Sequence, residues 1–181
     1  MAVELLSPSE LSEQLREDST PDLNRRRAGV ALSLAGAVIA GVVSAYQTGL
    51  IKRLPDILPG RVWDAEKVDA SDYAYENLQQ PDGPMMLVNY GLTAMALAAG
   101  GTDRARQNPA LPMVAAGKAA VDLALCGALA VKEWRTNKAL CSWCQVATLI
   151  SAVTAALSLP EAVRAGQTLL AGADEGAHVA G

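Results

Sequence analysis

Residues 28–51, AGVALSLAGAVIAGVVSAYQTGLI, decide the fold: the stretch is 24 residues long and carries no charged side chain. The hydrocarbon core of a bilayer is about 30 Å thick and needs roughly 20 apolar helical residues to cross it. The stretch begins after 27 other residues and is too long for the apolar region of a signal peptide. We therefore predict a transmembrane helix over 28–51.

Three further runs continue this pattern along the chain. Residues 84–101 and 139–159 carry no charge, and residues 110–131 carry only Lys118 and Asp122. A soluble Ala-rich bundle is the alternative, but its helices need a polar stripe that these runs lack. We expect an all-α, integral membrane four-helix bundle, in which many small residues allow the helices to pack closely.

The bundle, 28–159, is flanked by two other segments. Residues 1–27 are predicted to form a cytoplasmic amphipathic segment, because Ser7-Pro8-Ser9-Glu10 matches a capping box at the start of a short helix. That helix packs on the bundle, lies on the lipid headgroups or contacts a partner. Residues 52–83 form an outward loop between the first two spans, and residues 160–181 form a C-terminal tail.

The composition excludes several classes of protein. The chain has 181 residues, 51% of them hydrophobic, and a net charge of -4. A chain this apolar can bury enough surface to fold, which excludes extensive disorder. There is no dense patch of Lys and Arg, so we expect no nucleic-acid partner. Three cysteines and one histidine cannot complete a four-ligand zinc site without carboxylates, and we expect no metal.

Clustered arginines predict the orientation in the bilayer. Arg25, Arg26 and Arg27 adjoin the first span, and Arg104 and Arg106 lie between the second and third. Two crossings separate these clusters, so they share one side, which the positive-inside rule makes cytoplasmic. A second basic set falls on the opposite side: Lys52, Arg53, Lys132, Arg135 and Lys138. We follow the tight clusters and expect both termini to be cytoplasmic.

The strongest chemical signal is Cys141-Ser142-Trp143-Cys144, at the predicted outer end of the fourth span. Two thiols separated by two residues at a helix start can form a reversible disulfide. The helix N-terminus is expected to stabilise the thiolate of Cys141, as dithiol–disulfide exchange requires. The alternative is that both cysteines are small residues packed in a helix.

Three residues of the third span lie on one helical face. Lys118, Asp122 and Cys126 follow one another at intervals of four residues. Cys126 is predicted at the same depth as Cys144, where it either supports the thiol pair or is a packed core residue. Lys118 and Asp122 form either an intramembrane charged pair that fixes helix packing, or a proton path or acid near a bound cofactor.

Four spans, an outward loop after the first and a CxxC at the outer start of the fourth together resemble the vitamin K epoxide reductase family. Two stretches carry the resemblance, ALCSWCQVAT at 139–148 and AEKVDASDYA at 65–74. It covers roughly Arg27 to Leu159. The resemblance implies that a quinone, menaquinone or ubiquinone, binds in the bundle and is reduced by the CxxC. It also implies an external thioredoxin-like protein as the source of electrons.

The chain departs from the family at three places. Ala65 stands where the second loop cysteine would fall, and residues 52–83 contain no cysteine, so the relay pair is missing. Of a Ser-Ser pair in the loop only Ser71 remains. Thr148 occupies the position where a tyrosine commonly contacts the quinone.

Residue by residue, the resemblance implies that Cys144 gives electrons to the quinone and that Cys141 is the exchange thiol. Ser71 supports the site, and Thr148 takes the place of a quinone contact. Trp143 either flanks the quinone or anchors the helix at the interface. Asn89, in the second span, either donates a hydrogen bond to a quinone carbonyl or joins two helices.

Two functions remain open at this point. The first is a thiol:quinone oxidoreductase of the bacterial inner (cytoplasmic) membrane. The second is a non-catalytic structural or accessory subunit of a larger membrane complex, which the missing loop cysteines favour.

Overall fold

The computed structural model describes residues 6–76 and 79–179, with side chains up to residue 172. Within these ranges the chain is helical, with one isolated β-bridge between Trp63 and Leu140 and no strand. A 3-10 turn spans Asp72–Tyr75. The seven α-helices described are α1 (Pro8–Glu17), α2 (Pro21–Gln47), α3 (Ala65–Asp69), α4 (Asp82–Ala98), α5 (Arg104–Gln107), α6 (Ala110–Asn137) and α7 (Ser142–Val179).

Three of these helices are long and apolar enough to cross a membrane. They are α2, α6 and the Ser142–Gly172 part of α7. The predicted helical membrane bundle is confirmed at this level. The second predicted span, 84–101, corresponds to α4, which has 17 residues and is about 26 Å long. Helix α2 packs chiefly on α4 and α7, and α6 packs chiefly on α7.

Glycines on α2 bring it close to α4, as its many small residues predict. A Cβ atom at Gly36 would lie 2.5 Å from the ring of Tyr90, and one at Gly29 would lie 2.9 Å from Leu97. Side chains of α4 therefore pack directly on the α2 backbone, at positions that cannot carry a side chain without displacing them.

The N-terminal helix α1 begins with the predicted capping box and packs on the bundle. The Ser7 hydroxyl accepts the Glu10 amide at 3.3 Å, and the Glu10 carboxylate accepts the Ser7 amide at 2.8 Å. Its second half is bound by Arg27, which donates to the Leu15 carbonyl at 2.7 Å, and by Thr102, whose amide donates to the Gln14 side chain at 3.2 Å.

Two arginines used above for orientation lie in the protein interior. Arg26 is 4% exposed and donates to the carbonyls that end α4 and begin the next turn, those of residues 97–101. Arg104 binds carbonyls of the same region and Glu161. Both arginines therefore have structural roles that do not depend on which side of the membrane they face. The orientation of the chain in the membrane stays a prediction.

Helix α7 continues beyond Leu159, where the fourth span was predicted to end. It passes Pro160 without a break and reaches Val179; the last two residues of the predicted tail lie outside the described part. Packing explains the continuation, because Glu161, Ala162 and Ala165 are buried against the bundle.

Candidate functional site

The loop between α2 and α4 folds over the start of α7 and is fixed there by Asp56. One oxygen of the Asp56 carboxylate accepts the amide and the hydroxyl of Ser142, at 3.2 and 2.6 Å. The other oxygen accepts the amide of Ala65 at 3.0 Å. One side chain therefore joins the first part of the loop, the start of α3 and the start of α7.

Backbone contacts hold the loop from a second side. The Leu140 amide donates to the Val62 carbonyl at 2.9 Å, and the Asp64 amide donates to the Leu140 carbonyl at 3.0 Å. The Trp143 indole donates to the Pro55 carbonyl at 2.9 Å. The loop thus contacts the CxxC motif on both flanks.

The two thiols of the motif lie under this loop. Cys141 precedes α7 and is 0% exposed, whereas Cys144 lies in the first turn of α7 and is half-buried. The Cys144 amide donates to Cys141 Sγ at 3.3 Å. Both cysteines are free thiols, and their Sγ atoms lie within 4.8 Å of each other. A disulfide needs the two sulfur atoms about 2.05 Å apart, so the two side chains must rotate toward each other on oxidation.

Asp69, at the end of α3, lies beside both thiols and is 1% exposed. Its Oδ1 accepts a hydrogen bond from Cys144 Sγ at 3.8 Å. Its Oδ2 has no hydrogen-bond partner among the described residues. Burial raises the pKa of Asp69 to about 7, and the neighbouring thiols oppose this rise only in part.

A second acid, Glu133 of α6, is 2% exposed and accepts the backbone amide of Cys141. Its other oxygen accepts the Gln145 amide at 3.4 Å. The first turn of α7 is therefore bound to α6 as well as to the loop.

This acidic setting opposes the expected stabilisation of the Cys141 thiolate by the helix N-terminus. The carboxyl group of Asp69 lies beside both thiols and that of Glu133 accepts the Cys141 amide, and negative charge on either acid disfavours a neighbouring thiolate. The sequence-based argument considered the helix alone and could not include acids that arrive from other elements.

A cavity of about 50 Å³ opens beside Cys144. Its polar and sulfur-bearing lining residues are Asp69, Tyr73, Asp82, Met86, Cys126, Glu133, Cys144, Gln145 and Thr148. Pockets for small organic ligands usually measure 300–1,000 Å³. A quinone ring therefore enters only if the loop or the helices around this cavity move apart.

The same groups offer a partial set of metal ligands. One oxygen of Asp69 and the two Sγ atoms lie within 4.8 Å of one another, which would supply two sulfurs and one oxygen. A structural zinc site takes four protein ligands, so this set is one short.

A comparison with models of known protein families identifies the family of the chain. The model of the vitamin K epoxide reductase family matches residues 28–159. The chain belongs to the vitamin K epoxide reductase family. No curated protein and no solved structure matches the chain. Family membership indicates a membrane protein with thiol-dependent quinone oxidoreductase chemistry.

Three of the site residues carried over or predicted from sequence share the cavity: Cys144, Cys126 and Thr148. Cys126 Sγ lies 3.7 Å from the Ser151 hydroxyl. The Thr148 hydroxyl donates to the Cys144 carbonyl at 2.9 Å, so it is bound within its own helix.

Three other predicted site residues lie outside the cavity lining: Ser71, Asn89 and Trp143. The Ser71 hydroxyl donates to the Val68 carbonyl at 2.6 Å and accepts the Asn137 amide at 3.4 Å, which joins the loop to the end of α6. The Asn89 side-chain oxygen accepts Lys118 Nζ at 2.8 Å. Trp143 contacts the loop, as described above.

Lys118 and Asp122 form an ion pair at 2.7 Å within the bundle. Lys118 Nζ also donates to Asn89 and, at 2.9 Å, to Thr93, whose hydroxyl donates to Asp122 at 2.8 Å. These contacts join α4 to α6 and lie apart from the cavity at Cys144.

The site residues that sequence reasoning did not identify are Asp69, Tyr73 and Glu133. Asp69 and Tyr73 lie within the loop stretch that carries the family resemblance. No motif in that stretch assigned either side chain a chemical role. Glu133 had one signal: it is an acid four residues before the end of a helix whose neighbour begins with the CxxC. Ala65, at the family's loop-cysteine position, is fully buried in the same apolar cluster as Cys141.

Proposed function

We propose that the protein transfers two electrons from the Cys141–Cys144 dithiol to a quinone that binds beside Cys144. One observation carries the proposal: Cys144 lines a cavity at the loop-covered end of the bundle, with Cys141 directly behind it. Family membership supports the reaction class. The choice of these two thiols rests on their geometry.

The reaction balances as a two-electron, two-proton exchange. Cys144 Sγ adds to the quinone ring, an S–C bond forms and the thiol proton goes to a quinone oxygen. Cys141 Sγ then attacks Cys144 Sγ, so the S–S bond forms and the S–C bond breaks. The electron pair of the S–C bond stays with the ring, and the proton of Cys141 goes to the second oxygen. The products are a disulfide and a hydroquinone.

Reduction of the disulfide requires an outside thiol, and because the loop contains no cysteine that could relay electrons, that thiol attacks Cys141 directly. We further propose that a thioredoxin-like dithiol supplies the electrons and that menaquinone or ubiquinone accepts them. The proposal places the protein in the bacterial inner membrane with both termini cytoplasmic. Cys141 is covered by the loop, so the partner thiolate reaches it only after the loop has moved.

A thiol-trapping titration in native membranes tests the proposal, with menadione and a short-chain ubiquinone as oxidants. In the reduced protein, added quinone should convert Cys141 and Cys144 to a disulfide. Cys144→Ser should not react, and Cys141→Ser should stop at an adduct of Cys144. Cys126→Ser is the comparison variant that loses a thiol but keeps the motif. A wild-type motif that stays reduced in excess quinone would refute the proposal.

A second candidate function is a non-catalytic subunit of a larger membrane complex. The observation that favours it is the size of the cavity, about 50 Å³, together with a loop that has no relay cysteine. It predicts co-purification at a fixed stoichiometry, and full function of the complex after Cys141→Ser and Cys144→Ser are combined. Loss of activity in that double variant, with assembly intact, would exclude it.

A further inference from the structure

We propose that Asp69 is a catalytic residue that relays the proton of the Cys144 thiol to an oxygen of the bound quinone. The inference rests on the proposed function, since it assigns the path of one proton in that reaction. It starts from an unusual carboxyl group, which is fully buried, touches a reacting sulfur and leaves one oxygen unused.

The two oxygens of Asp69 face different neighbours. Oδ1 lies 3.8 Å from Cys144 Sγ and accepts its hydrogen bond. Oδ2 is buried without a hydrogen-bond partner among the described residues, although Asp69 lines the cavity. Buried polar oxygens are nearly always paired, because leaving one without a partner costs free energy. An unpaired oxygen at this cavity is suited to a ligand that accepts or donates a hydrogen bond there.

The other acids and hydroxyls at the cavity are already engaged. Glu133 binds the Cys141 amide and the Gln145 side chain. Asp82 accepts the Gln47 amide at 2.6 Å, and the Tyr73 hydroxyl donates to the Leu129 carbonyl at 3.1 Å. Among the described acids that line the cavity, Asp69 is the one with a buried oxygen that has no hydrogen-bond partner.

The relay step uses both oxygens of a neutral carboxyl group. Oδ2 gives its proton to the quinone oxygen while Oδ1 takes the proton of the Cys144 thiol, as the S–C bond forms. Asp69 ends the step neutral, with its proton on the other oxygen, so no charge is created in the buried site. Because burial raises the pKa of Asp69 to about 7, the neutral form is well populated at neutral pH.

The groups that face Asp69 come from four elements, and a pH profile must distinguish them. Cys141 and Cys144 belong to the start of α7, Glu133 to α6 and Asp82 to α4; Asp56 and Tyr73 are on the loop. Ionisation of the thiols would raise the rate with pH. Ionisation of Asp69 lowers it, because the carboxylate has no proton to give.

The test compares Asp69→Asn with the wild type in stopped-flow reaction of the reduced full chain with menadione. The amide is similar in size but cannot relay a proton, so disulfide formation by the quinone should slow by about 100-fold or more. Both proteins should still form the disulfide in glutathione buffers, because that reaction needs no quinone. The exposed Asp72→Asn, three residues away, is the matched control and should react at the wild-type rate.

The pH profile gives a second readout that a structural role would not produce. The wild-type rate of disulfide formation should fall as the pH rises through about 7. The variants Asp69→Glu and Glu133→Gln should show the same fall in rate. Asp69→Asn should not show it. An unchanged rate in Asp69→Asn would overturn the relay. If Asp69→Asn does not fold, a wild-type rate that stays flat or rises from about pH 5 to about pH 9 would overturn it.

The outcomes separate the relay from the proposed function. If menadione oxidises neither the wild type nor Asp72→Asn, the proposed function itself fails. If both are oxidised and Asp69→Asn keeps pace, only the relay fails.

Discussion

Arg104 and Glu161 form a bidentate ion pair in the protein interior. Arg104 Nε lies 2.9 Å from Glu161 Oε1, and Arg104 Nη2 lies 2.8 Å from Glu161 Oε2. The two residues are 1% and 3% exposed. The third nitrogen of Arg104 donates to carbonyl oxygens at the end of α4, the shortest contact being 2.6 Å to Ala99. One side chain therefore joins α4, α5 and α7.

Removing one partner of this pair should destabilise the protein strongly. We expect Glu161→Gln to lower the free energy of unfolding by about 3 kcal/mol, because it leaves the guanidinium of Arg104 buried without a counter-charge. Arg164→Gln is the matched control: it breaks the exposed pair with Asp22 and should cost less than about 1 kcal/mol. Unfolding in mild detergent measures both. Equal losses of unfolding free energy in the two variants would show that the interior pair stabilises the fold no more than the exposed pair does.

The Lys118–Asp122 pair allows a direct test of the two roles left open by its sequence. We expect Lys118→Met and Asp122→Leu each to destabilise the bundle by about 3 kcal/mol, since each leaves one charge unpaired. The combined variant should be close to the wild type in stability, and its rate of quinone reduction should be unchanged, because the pair lies outside the cavity. A folded double variant that has lost quinone reduction would instead indicate a proton path.

The docking of the loop on α7 should depend on Asp56. Asp56→Ala removes three hydrogen bonds, so we expect alkylation of Cys141 by a water-soluble maleimide to become at least about tenfold faster. Asp72→Ala removes an exposed carboxylate of the same loop and should leave the alkylation rate as in the wild type. Equal rates in the two variants would mean that Asp56 does not hold the loop.

The buried carboxyl of Asp69 should make stability depend on pH. Its pKa in the folded protein lies above the ordinary value, so between about pH 4 and pH 7 the unfolded chain releases this proton and the folded protein keeps it. Stability should therefore fall as the pH rises through this range, by at most about 4 kcal/mol. Asp69→Asn should remove most of that fall in thermal unfolding measured at several pH values. A pH dependence identical to that of the wild type would contradict the assignment to Asp69.

The helical bundle and the position of the CxxC at a helix start could be predicted because both follow from local rules. A bilayer needs runs of about 20 apolar residues, and such runs are visible in a sequence. The capping box at Ser7 and Glu10 is equally local, since its partners are three residues apart.

The acids around the thiols could not be predicted in this way. Asp69 and Glu133 meet Cys141 and Cys144 only because the loop folds back over α7 and because α6 ends beside it. Arg26 is a similar case, since Arg25 and Arg27 on either side have the same chemistry. Only the phase of α2 against the end of α4 makes Arg26 the buried one.

The loop that covers Cys141 has a kinetic consequence. Because Cys141 is 0% exposed beneath the loop, an outside thiol would reach it only during the fraction of time that the loop has moved away. At high concentrations of a reducing partner, turnover would then reach a ceiling set by the opening rate, and a more nucleophilic partner would not exceed it. Small oxidants in the surrounding medium would meet the same barrier at Cys141 but not at the half-buried Cys144.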